Sequence, residues 1–158
     1  MKSCRIITGK KGVGKTTCME DMAAEYSHPQ GFISYYADSC YVLHNLADGS
    51  EELLMTETDL FPDTIGKWFY DQRIFDEAVE ELEKIKSGTV FIDEVGRLEL
   101  EGKGFAPAIR KLVKREISLV LAVRDEFVDE VISAFALEDN VETEVSVSEV
   151  LPAEEEDV

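Results

Sequence analysis

Residues Gly9-Lys10-Lys11-Gly12-Val13-Gly14-Lys15-Thr16 satisfy the pattern G-x-x-x-x-G-K-[S/T] in full, and their reading decides the fold. The apolar run Arg5-Ile6-Ile7-Thr8 stands before them, and Thr17 to Tyr26 after them has helical composition. Strand, glycine loop and helix in that order form a phosphate cradle. The glycines let the backbone approach a phosphate chain, and the N–H groups entering the helix form an anion nest. Lys15 would reach the β- and γ-phosphates, and the Thr16 hydroxyl would hold Mg²⁺. Gly9, Lys10, Lys11, Gly12, Val13, Gly14, Lys15, Thr16 and Thr17 are therefore the candidate phosphate-binding residues. A chance glycine-rich turn would not bring all the fixed positions and both flanks together.

The rest of the chain supplies a sheet for that loop. The first helix is expected from Thr16 to about Ser27, and a strand over Gly31 to Tyr36. Asp38 to Met55, with Asp48-Gly49 as a turn signal, reads as β-hairpin material. Asp71 to Lys86 carries apolar residues on one helical face, with Gly88 as its expected C-terminal cap. Thr89-Val90-Phe91-Ile92 is a short apolar strand of the kind found at the centre of a parallel sheet. A helix around Pro107 to Arg115, a strand Ile117 to Val123, a helix Glu126 to Phe135 and a strand near Glu144 to Val147 complete the order. Alternation of this kind predicts an α/β fold with a mainly parallel sheet flanked by helices. One domain over 1–151 is expected, with an acidic, disordered tail at 152–158.

In such folds ligands bind beyond the carboxyl ends of the strands. Asp93-Glu94 stands there, directly after Thr89-Val90-Phe91-Ile92, in the Walker B pattern. Asp93 would hold the metal, or a water bound to it, beside Thr16. Glu94 would orient and deprotonate a water for in-line attack on the γ-phosphoryl group. Kinases that pass phosphate to a bound hydroxyl do not need such a glutamate, whereas hydrolases of this type do. Positive charge on the leaving oxygens could come from Arg124, at the end of Leu119 to Val123, or from Arg97. Arg124 is open between a cis arginine finger and a mere partner for surplus carboxylates; for Arg97 the ion-pair reading is preferred. Arg110, Lys111, Lys114 and Arg115 form a basic strip that reads as a solvated helix face rather than a partner surface.

Composition narrows the classes. The 158 residues carry a formal charge of −18, four units of it in Glu154-Glu155-Glu156-Asp157. That field repels polynucleotide phosphate, so nucleic acid is not expected as a partner, and Lys10, Lys11 and Lys15 must offset it locally for a nucleotide. Cys4, Cys18, Cys40, His28 and His44 show no metal-ligand spacing, which speaks against a transition-metal site. No apolar run approaches the ~20 residues that span a bilayer, and the first strand begins almost at once, so a cytoplasmic location is expected. Nothing in the sequence picks out a protein partner.

Several motifs in order extend the reading. They are Ile7-Thr8-Gly9 through Lys15-Thr16-Thr17, Gly31-Phe32, Ile65-Gly66-Lys67-Trp68 leading to Phe75, and Val123-Arg124 before a helix. The most specific is Ile92-Asp93-Glu94-Val95-Gly96-Arg97-Leu98-Glu99-Leu100. On these pieces the chain resembles the small P-loop nucleoside triphosphatases of the thermophile and cancer-related type. The resemblance implies a RecA-like P-loop fold, Mg²⁺ dependence and slow hydrolysis of several nucleoside triphosphates. It also implies that Glu99 belongs to the site or to its supporting shell. After Gly31-Phe32 the chain departs from the family's basic, glycine-rich hairpin and reads Ser34-Tyr35-Tyr36-Ala37-Asp38.

Three other readings stand beside this one: a dimerising switch, a small kinase, and a non-enzymatic nucleotide-binding adaptor. The loop is one residue from the G-K-G-G-V-G-K-T-T of dimerising MinD/ParA-type switches, with Lys10 at their signature position. Against that reading, Asp93-Glu94 leads into Val-Gly-Arg instead of a switch-type Asp-x-x-x-Gly. A small nucleotide kinase would need an acceptor pocket and a lid, and no lid insertion is evident.

Overall fold

The computed structural model describes residues 1–10, 12 and 14–147. The acidic tail expected at 152–158, and Lys11 and Val13 of the loop, lie outside them. The central strands form because their residues are apolar on both sides. They are β1 (Ser3–Gly9), β7 (Thr89–Ile92) and β8 (Ser118–Arg124). With β2 (Gln30–Ala37) and β9 (Val141–Ser146) they make a parallel block in the order β2-β7-β8-β1-β9. The strand β8 therefore separates the loop-bearing β1 from β7, whose end carries Asp93-Glu94.

On the far side of β2 the sheet turns antiparallel. There β3 (Cys40–Asn45), β4 (Glu51–Thr56), β6 (Trp68–Tyr70) and β5 (Asp63–Ile65) extend it outward. Hairpin material over Asp38 to Met55 is thus present as β3 and β4. The β5–β6 hairpin was not expected. Its strands have three residues each, too few to show a period of two.

Side-chain alternation along the parallel strands builds two cores. Ile7, Ile33, Phe91, Val120 and Ala122 pack on one face with Met19 and Ala23 of helix α1 (Lys15–Ala23). Ile6, Val90, Ile92, Leu119, Leu121 and Val123 point the other way. There they meet α2 (Gln72–Leu82), α4 (Ala106–Leu112) and α5 (Val128–Ala134) through Phe75, Leu82, Ile109, Leu112 and Val131. Each such buried side chain contributes about 1.5–3 kcal/mol, against about 0.5–1.5 for a hydrogen bond. The double core, more than the loops, fixes where the strand ends stand. Among the described residues no helix is long and apolar enough to cross a membrane.

Several helix ends differ from expectation: α4 stops at Leu112, short of Arg115, and α5 begins at Val128 after a 3-10 turn over Asp125–Phe127. The chain leaves α1 at Ala23, and its next N–H groups bond three residues back, as Glu25 does to Met22 and Tyr26 to Ala23. The helix α2 starts as expected, with the Asp71 carboxylate accepting from the Arg73 N–H at 3.0 Å. It stops at Leu82 because Arg115 takes the carbonyls beyond: its guanidinium donates to Glu83 O and to Ile85 O, the latter at 2.9 Å. Gly88 leads into β7 and does not cap the helix. The basic strip resolves the same way, with Lys111 Nζ 3.1 Å from Glu83 and Arg110 over the Phe135 ring at 5.9 Å.

Gly31 sits where β2 passes closest to β7, paired with Phe91 and at φ +124°. A Cβ there would run into the Phe91 carbonyl oxygen and peptide nitrogen. Neither is free to move, since both belong to a central strand. Gly49, at φ +76°, has open space around its missing Cβ. Gly49→Ala should therefore cost only the backbone term, about 1–2 kcal/mol. Gly31→Ala should cost at least ~2 kcal/mol more than that, read from urea unfolding midpoints. Equal losses in the two variants would mean that the strand contact does not matter.

Candidate active site

The loop leaves β1 at Gly9 and enters α1 at Lys15. Gly12 (φ 82°) and Gly14 (φ 95°) hold left-handed backbone that side-chain-bearing residues avoid. Lys15 is only 5 % exposed. Its ammonium closes back over its own loop, donating to Lys10 O at 2.7 Å and Gly9 O at 3.1 Å. Burial holds its pKa below the usual lysine value, while the charges of Glu94 and Asp93 oppose that shift and Arg124 adds to it. The lysine thus carries its charge at the loop's centre with no carboxylate among the described residues bonded to it. Lys10 and Thr17 are exposed on the rim of the loop.

Asp93 is 1 % exposed. Its Oδ2 accepts from the Thr16 hydroxyl at 2.8 Å and from the Ser34 N–H at 3.2 Å, and its Oδ1 from the Glu94 N–H at 2.9 Å. Thr16 lies on the first turn of α1, Ser34 on β2 and Asp93 at the end of β7, so three elements meet at one carboxylate. Burial, and then the neighbouring Glu94 charge, push its pKa up to about 7 against the pull of those three bonds. The part played by the Ser34 N–H was invisible in sequence, because it depends on β2 lying next to β7.

The chain turns sharply at Glu94. Its φ of 55° is rare for a residue with a side chain and is the kind of backbone strain that collects at functional sites. The carboxylate is exposed beside the buried Asp93, and Val95 N–H then bonds Ala122 O on β8 at 3.0 Å. Beyond Gly96 comes the single turn α3 (Arg97–Leu100). Arg97 therefore sits on a helical turn, where the sequence suggested a loop.

Glu99 is the brace of this turn. It is 3 % exposed, and burial pushes its carboxyl pKa up to about 7. Its two oxygens accept from the Gly96 N–H at 2.8 Å and the Phe105 N–H at 2.9 Å. It thus ties the segment carrying Glu94 to the start of α4. Arg124 ends β8 in register with Gly9, the first glycine of the loop. Its guanidinium lies over the Phe127 ring at 5.6 Å and is 3.9 Å from Glu126. An exposed pair at that distance is worth about 0–1 kcal/mol, so it does not hold the arginine away from the loop.

The sequence profile of a family described as NTPase matches residues 4–150. The chain belongs to that family. It is 28 % identical over 137 residues to the nucleoside-triphosphatase THEP1 of Thermotoga sp. (strain RQ2), an overlap covering 80 % of this chain and 78 % of that protein. It is 25 % identical over 136 residues to the protein of the same name from Thermotoga maritima, covering 80 % and 78 %. The crystal structure of THEP1 from the hyperthermophile Aquifex aeolicus superposes with a TM-score of 0.70 at 21 % identity, over 94 % of this chain and 90 % of that one. This last likeness is one of fold.

Glu99→Gln tests the brace. An amide offers one acceptor where the carboxylate offers two, so either the Gly96 or the Phe105 N–H would face an NH₂ group. A stability loss of about 1–3 kcal/mol is expected from urea unfolding. A variant as stable as the parent would show that Glu99 does not secure the turn.

Proposed function

We propose that the chain hydrolyses nucleoside triphosphates to diphosphate and phosphate at this site, with Mg²⁺ as its cofactor. The observation that carries the reading is the 2.8 Å bond from Thr16 to Asp93, which joins the phosphate loop to the acid at the end of β7 with Glu94 turned outward beside it. Thr16 and Asp93 present hard oxygen donors of the kind Mg²⁺ takes, leaving its other positions to phosphate and water. Those two residues would hold the ion, and its charge would neutralise the developing negative charge on the phosphate oxygens.

The chain's own groups do the rest. Loop N–H groups at the start of α1 receive the phosphates. Lys15 exchanges the carbonyls of Gly9 and Lys10 for phosphate oxygens, an exchange that repays its charge with a better partner. Glu94, exposed and next to the reacting end, accepts a proton from the attacking water. Arg124, level with Gly9 across the β1–β8 pair, adds positive charge where the leaving oxygen develops negative charge.

Phosphate release from ATP, GTP, CTP and UTP with Mg²⁺ tests this reading in wild type, Glu94→Gln and Arg124→Ala. Glu94→Gln should lose about 10²-fold or more in turnover with nucleotide affinity nearly unchanged. Arg124→Ala should lose about tenfold or more. Unchanged turnover in Glu94→Gln would remove that residue from the mechanism, and no release from any of the four triphosphates would overturn the function.

A further inference from the structure

Beyond Asp93 and Glu94 the outer sheet and the helices leave a cleft of about 280 Å³. Its inner end carries Ser34, Asp93, Glu94 and Arg124, so it opens directly from the reacting centre. Its outer part is built from residues that phosphate binding and proton transfer do not use. Tyr41 of β3, Trp68 of β6 and Arg97 of α3 line it, together with Phe75 and Phe105.

The walls select an occupant. Tyr41 and Trp68 are half-buried, their ring centroids 5.1 Å apart, and both touch Tyr36 edge-on. An aromatic wall of this kind favours a flat ring packed against it. Arg97 supplies the second requirement. In a chain with 34 acidic residues, Lys67, Arg73, Lys103, Lys111 and Arg124 each have a carboxylate within 4.0 Å. Arg97 is exposed and has no such partner among the described residues. Its Nη1 reaches toward the β5–β6 turn, 3.5 Å from where a Cβ on Gly66 would stand. A guanidinium left unpaired at the mouth of an aromatic cleft is a receptor for an anion. The volume lies near the lower end of ligand pockets, room for one ring with a short arm and not for a dinucleotide.

We propose that this cleft is a second ligand site for a small molecule carrying one planar heteroaromatic ring and one anionic group, the chemistry of a nucleoside monophosphate, held at the same time as the triphosphate. The ring packs on the wall of Tyr41 and Trp68, and the anion meets Arg97. The simultaneous binding rests on the reading that the triphosphate fills the glycine loop.

Trp68 is the single tryptophan of the chain, so its emission reports on the cleft. The protein is first saturated with Mg²⁺ and a non-hydrolysable ATP analogue, with binding checked by calorimetry. AMP, GMP, CMP and UMP are then titrated, with the four free nucleosides and inorganic phosphate as separate arms. At least one monophosphate should change Trp68 emission saturably, about tenfold or more tighter than its nucleoside or phosphate alone. Arg97→Gln should weaken it about tenfold or more. The site is overturned if no monophosphate saturates, if more analogue displaces the monophosphate, or if Arg97→Gln binds it as well as wild type. Failure of the analogue to bind counts against the proposed hydrolysis alone. The same titration without analogue then decides the cleft by its saturation and Arg97→Gln arms.

Discussion

A carboxylate withdrawn from water costs several kcal/mol unless donors meet it, and Asp93 is withdrawn almost completely. The Thr16 hydroxyl and the N–H groups of Ser34 and Glu94 are what keep it there. Hydrogen bonds to a charged group are worth about 1.5–3 kcal/mol each, so together they offset part of the penalty. Because the donors come from α1, from β2 and from the turn after β7, the loop, the sheet and the turn cannot shift independently. Burial and the neighbouring Glu94 charge still push the Asp93 pKa up to about 7, against the pull of those bonds. The Thr16–Asp93 bond that organises the site joins the two side chains that would hold a metal.

Sheet order converts that local knot into a site. With β8 between β1 and β7, the ends of three adjacent strands deliver Gly9, Arg124 and Asp93 to one rim. The two cores hold those ends from both faces, and Glu99 fixes the turn that follows Glu94. The antiparallel extension then adds Tyr41 and Trp68, aromatic side chains that line a cleft together with Arg97 of α3.

What the sequence revealed and what it hid follow from the range of the interactions. The loop Gly9 to Thr16 and the pair Asp93-Glu94 were legible because each is a local pattern, and β7 fell over Thr89–Ile92 as expected. The end of α2 was not, because Arg115 takes carbonyls 30 and 32 residues earlier in the chain. Ser34 reaches Asp93 only through the order of the sheet, and Trp68 joins the cleft only through a hairpin of three-residue strands. Glu99 entered through the family resemblance alone. Its bond to the Gly96 N–H is a helix-start signal written in the sequence, an acid three residues after a turn glycine.

Lys15, bonded to its own loop, should turn to a bound triphosphate while Glu94 keeps its place. The structure of the complex with ADP, Mg²⁺ and aluminium fluoride tests it most directly. Lys15 Nζ should have left the carbonyls of Gly9 and Lys10 for the fluoride group, Thr16 and Asp93 should flank the metal, and a Glu94 oxygen should stand about 3 Å from an in-line water. A complex in which that water is held by another residue while Glu94 faces bulk solvent would contradict the account.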